Sequence, residues 1–112
     1  MKPKFSTQDS VLSQKIKWIA DYDNIYYEGE KVTTLDLVRT TITIRLNVRD
    51  VPRRIDALDS AAFQIAKLAR QNLRDTSIYD TYKVEFYGER RAKPGNQVVS
   101  FTYWYPSFAL YK

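Results

Sequence analysis

At 112 residues, with 44% hydrophobic and 28% charged positions and a formal charge of +5, the composition is that of one folded domain and not of a disordered segment. The absence of Cys and His excludes disulfides, thiol nucleophiles, imidazole general bases and any Cys- or His-ligated metal site within the chain. No run approaches the ~20 apolar residues of a membrane-spanning helix, and MKPKFSTQDS lacks the apolar stretch of a secretory leader. Lack of cysteine suits the cytosol or the exterior equally, so the compartment stays open.

Residues 1–7 read as a disordered tail and 8–112 as a single domain. In 8–22, Val11, Leu12, Ile16, Ile19 and Ala20 recur at helical spacing, whereas Ile16, Trp18, Ala20 and Tyr22 alternate as in a strand. A helix is preferred, because Ser6 or Thr7 can cap it and few residues are β-branched. NIYYEGEKVTT follows, read as short strands flanking a turn at Gly29.

The clearest strand is LDLVRTTITIRLNVRD. Val38, Ile42, Ile44, Leu46 and Val48 point one way; Arg39, Thr41, Thr43, Arg45, Asn47 and Arg49 point the other. Pro52 ends it. Residues 54–74 then step Ile55, Leu58, Ala62, Ile65, Ala69 and Leu73 by three and four, an apolar stripe that predicts the main helix. Asp56 and Asp59 near its start and Lys67, Arg70 and Arg74 near its end suit the helix dipole.

The last third predicts a hairpin closed by KPGN at 93–96, with Pro and Gly where a type II turn wants them. With Lys93 and Asn96 as corners, Gly88 opposes Phe101, Phe86 opposes Tyr103 and Val84 opposes Tyr105, an apolar face. Tyr87–Thr102 and Glu85–Trp104 fall on the other face, where Tyr87 and Trp104 are diagonal neighbours. Pro106 ends regular pairing before Phe108 and Tyr111, whose facing the pattern leaves open.

These elements predict an α+β fold. A mostly antiparallel sheet of three to four strands carries the long helix on one face, with a further helix at the N terminus. The inward set is Val38, Ile42, Ile44, Leu46, Ile55, Leu58, Ile65, Leu73, Val84, Phe86, Val99, Phe101, Tyr103 and Tyr105.

Chemistry is sparse. Asp21, Asp23, Glu28 and Glu30 cluster within ten residues, but without a second constellation they read as ordinary loop carboxylates. They also lack the ligand spacing and turn glycine of an EF-hand loop. Three scattered glycines exclude phosphate-binding loops. No catalytic residue, metal ligand, cofactor or small-molecule ligand is indicated, and the expectation is a non-enzyme.

The candidate surface is the polar sheet face, with Arg39, Arg45, Arg49, Lys83, Tyr87 and Trp104. Exposed Trp and Tyr beside Arg is the residue mix of protein-interface hot spots, and a protein partner or homodimer is the preferred reading. Arginines interleaved with aromatics also suit a nucleic-acid module, the second reading, although Glu85 and Glu89 lie on the same face. A third arrangement removes both: residues 8–22 fold over Trp104 and make it part of a second core layer.

Overall fold

The computed structural model describes residues 9–20, 22–48, 55–73, 79–90 and 97–110. In chain order these form α1 (Asp9–Ile19), β1 (Asn24–Thr33), β2 (Val38–Val48), α2 (Ile55–Asn72), β3 (Thr81–Arg90), β4 (Gln97–Pro106) and a single 3-10 turn (Ser107–Leu110). The tail at 1–7, its capping residues Ser6 and Thr7, Arg49 and the KPGN turn lie outside the described residues.

The strands form one sheet in the order β1-β2-β3-β4. The fold is α+β, but the expected mostly antiparallel sheet is instead mixed: the outer pairs are antiparallel hairpins, and the central β2–β3 pair is parallel. The connection explains the difference. Eighteen helical residues span about 27 Å, enough to carry the chain back along most of the ~36 Å of β2. A strand entered after such a return runs in the same direction as the one before it.

Both helices lie on one side of the sheet. Ile42, Ile44 and Leu46 of β2 and Tyr82, Val84 and Phe86 of β3 are fully buried under Leu58, Ala62, Ile65, Ala66 and Ala69 of α2. Three alanines along that stripe let the helix backbone settle close to the large side chains below. Within the 8–22 segment Asp9–Ile19 is a helix, as expected, and it joins the same layer. Leu12 and Ile16 are fully buried in the common core. Ser13 exchanges a 2.8 Å hydrogen bond with the Tyr27 hydroxyl, and the Tyr22 hydroxyl donates to the Ser13 carbonyl at 2.8 Å. Tyr27 opposes Ile44 and so points to the helix side. The arrangement in which this segment covers Trp104 is therefore overturned.

Three local expectations are also corrected. Gly29 is no turn: it sits buried within one ten-residue strand, opposite Ile42. Val38 faces the helix side but is 51% exposed, because β2 begins beyond the reach of the helices. The β3–β4 register is shifted by two residues, so Phe86 opposes Phe101, Val84 opposes Tyr103 and Tyr82 opposes Tyr105. A two-residue slip leaves every side chain on its face, so alternation alone could not tell the registers apart. The observed one sets ring against ring or branched chain at these three pairs, and Phe86 meets Tyr103 edge-on at 6.3 Å.

Candidate functional site

With both helices on one side, the other face of the sheet has no described element over it. The registers arrange its side chains in rows across the four strands. One row runs Glu28, Thr43, Lys83, Trp104; the next Tyr26, Arg45, Glu85, Thr102; the third Asn24, Asn47, Tyr87, Ser100. A fourth row, Glu30, Thr41, Thr81 and Pro106, lies towards the β1–β2 turn.

Of the predicted surface residues, Arg45, Lys83, Tyr87 and Trp104 do gather near the middle of this face. Arg45 Nε lies 3.2 Å from Glu85 Oε1, and Lys83 Nζ lies 3.9 Å from Glu85 Oε2. Arg45 also stands over the Tyr87 ring at 6.0 Å, and Lys83 over the Trp104 ring at 4.9 Å. Glu85, only 16% exposed, holds two cations that each also contact an aromatic ring. Trp104 remains 58% exposed. It is the one ring of β4 on this side, since Phe101, Tyr103 and Tyr105 point to the helices.

Of the other two predicted site residues, only Arg39 is described, and it lies away from this cluster. Arg39 lies at the end of the face, in a cleft of about 570 Å³ lined with Val38, Asp80, Thr81, Pro106 and Phe108 among others. Arg49 lies outside the described residues. The expected diagonal contact of Tyr87 with Trp104 is also absent. Trp104 opposes Lys83 and Tyr87 opposes Ser100, so four residues of strand separate them, about 13 Å.

Sequence reasoning missed Tyr26 as a surface ring and misplaced Glu28 and Glu30 in a loop. All three are exposed on the β1 part of this face. The signal was present in NIYYEGEKVT, where Ile25 and Tyr27 alternate with Tyr26, Glu28 and Glu30, but reading Gly29 as a turn cut the pattern in half.

The charge of the face follows. By register, the described strands place the cations Arg39, Arg45 and Lys83 and the anions Glu28, Glu30, Glu85 and Glu89 on it. Among the described residues the cations do not outnumber the anions, so the +5 of the chain is not concentrated on these strands' open face.

On the helix side, the Tyr105 hydroxyl donates to Asp59 Oδ1 at 3.1 Å and to the Asp59 carbonyl at 3.2 Å, tying β4 to α2. Burial, then this bond and the Asp59 charge, push the Tyr105 phenol well above its ordinary value. Burial raises Tyr79 and Tyr103 as well, with Asp59 adding to Tyr103. A phenol raised by folding stabilises the native state fully below its unfolded value of about 10, and that contribution is lost as pH rises through the folded value. Urea unfolding between pH 8 and 11 should therefore show stability falling from about pH 10 upward. Tyr105→Phe should cost about 1 kcal/mol at pH 8 and flatten part of the alkaline slope. An unchanged slope would assign the alkaline loss to other groups.

Among the described residues there is no group of three metal-ligating side chains, and no helix is long and apolar enough to cross a membrane. Compared with protein-family models, with curated proteins and with solved structures, the chain gives no match.

Proposed function

We propose that this chain is a non-catalytic binding or scaffolding module whose open sheet face contacts another protein. One observation supports this reading above the others: the face combines exposed Trp104 and Tyr26 with described cations that do not outnumber its described anions. Rings with large rigid surfaces anchor protein interfaces, and cation–acid networks around them set orientation. A nucleic-acid surface is built differently, because the phosphate backbone supplies most of the affinity and demands a net positive face. Here Glu85 engages Arg45 and Lys83, and Glu28 and Glu30 line the β1 side.

The test compares wild type with Trp104→Ala and Tyr26→Ala. Both side chains are exposed, so each variant should unfold within about 1 kcal/mol of wild type. Proteins retained by immobilised wild type should be lost from both variants and kept by Gln71→Ala, on the outer surface of α2. Binding of a mixed-sequence oligonucleotide should be weak. Tight binding that falls steeply with salt and disappears in Arg45→Ser would replace this reading by the nucleic-acid one.

A further inference from the structure

The sheet has two edges, and they differ. β1 carries Glu28, Glu30 and Lys31 along its ten residues, the kind of charge that natural sheets place on an edge to keep other strands from adding to it. β4 carries none. From Pro94 to Tyr111 there is no charged side chain, an uninterrupted neutral run of eighteen residues that contains the whole strand. Half of the backbone N–H and C=O groups of β4 point away from β3, and no described strand pairs with them.

The packing beside this edge is also unfinished. Ile42, Ile44 and Leu46 of β2 and Tyr82, Val84 and Phe86 of β3 are fully buried on the helix side, whereas Val99, Phe101, Tyr103 and Tyr105 of β4 are only partly covered. Phe63 of α2, 36% exposed, stands 5.6 Å from the Tyr105 ring and extends this apolar strip around the rim.

We infer that β4 is a homodimer edge: two copies of this chain pair β4 to β4 in antiparallel fashion across a two-fold axis normal to the sheet, giving a continuous eight-stranded sheet. The reading goes beyond the protein-binding role of the open face, since it uses the rim of the sheet. The neutral edge makes a second copy a compatible occupant despite the charge of the chain. Two +5 chains repel, and the neutral β4 edge lets them approach without opposing like charges. The geometry is self-complementary as well. Under that axis, helix-side residues oppose helix-side residues, so the two half-covered Val99–Tyr105 rows meet and cover each other. Both helix layers then lie on one side and both Trp104 faces on the other.

The experiment is sedimentation or light scattering over a concentration series. Wild type should show twice the 13.2 kDa chain mass at roughly 100 µM. Ser100→Lys with Thr102→Lys, two exposed positions on β4, should weaken the dimer by tenfold or more through like charges brought face to face. Asn24→Lys with Thr33→Lys adds the same charge to the β1 edge and should leave the dimer nearly intact. A monomeric wild type, or equal weakening by both pairs, overturns the inference. If the β4 pair fails to fold, amide exchange on wild type decides. Protection within β4 should rise with concentration, and protection independent of concentration overturns the inference. The face reading is judged separately, by the Trp104→Ala capture result.

Discussion

Phe86→Ala is expected to lower the unfolding free energy by about 3–5 kcal/mol, the range for deleting a buried ring. Phe86 is fully buried in β3, next to Leu46 across the parallel seam and Phe101 across the hairpin, with the Tyr103 ring edge-on. Removing the ring leaves a cavity where the two hairpins join, and neighbours held by three elements cannot easily collapse into it. Domains of this size are stable by about 5–15 kcal/mol, so the variant should be marginal at 37 °C. Phe63→Ala is the comparison: its ring is large but partly exposed at the rim, and its loss should cost about 1 kcal/mol. Urea unfolding followed by far-UV circular dichroism measures both. Similar costs for the two would mean that the core is not centred on the β2–β3 seam.

Ile16→Ala should cost about 2–4 kcal/mol, whereas Trp18→Ala, two residues away, should lie within about 0.5 kcal/mol of wild type. Ile16 is fully buried among the side chains of the common core, and Trp18 is 92% exposed on the opposite surface of α1. The contrast places α1 in the helix layer, and it has a functional corollary. If α1 packs there, Ile16→Ala should leave the native emission of Trp104 unchanged when Trp18 is replaced by Phe to silence its signal. A shift in Trp104 emission would mean that α1 reaches the open face after all, and the proposed binding surface would shrink accordingly.

Much of the sheet and of α2 could be read from periodicity. Ile42, Ile44, Leu46 and Val48 are buried as the alternation implied, and the Leu58–Leu73 stripe lies against them. Face assignments in the hairpin also held, and for a physical reason: the slip between expected and observed register was two residues, the side-chain period itself. The pairs built on that register did not hold, which is why Trp104 meets Lys83 and not Tyr87. The parallel seam was illegible because alternation describes a strand's faces and says nothing of its neighbour's direction. Strand direction follows from the length of the connecting helix, which returns the chain along β2 before β3 begins. Gly29 misled for a local reason. Glycine is a common turn residue, but within β1 it lies against Ile42, and only pairing with β2 reveals that. As for the site, Arg45, Lys83, Tyr87 and Trp104 share a face as expected. The engagement of both cations by Glu85 required the β2–β3 register.

That seam also governs how the chain acquires its fold. Each hairpin can zip from its own connection, and β1–β2 is closed by Thr34, whose N–H and hydroxyl both donate to the Leu37 carbonyl. Thr41 and its partner Thr81, by contrast, are forty residues apart along the chain. Closing a loop of that length costs about 3 kcal/mol of chain entropy before any contact across it is gained. The helix that bridges the gap shortens the search by replacing flexible chain with a rod. Until it docks, β2 and β3 are both bare edges, each with a row of large apolar side chains. The step that joins two local hairpins into one sheet is therefore expected to set the pace of folding, and to be the interval in which neighbouring chains can most easily pair in its place.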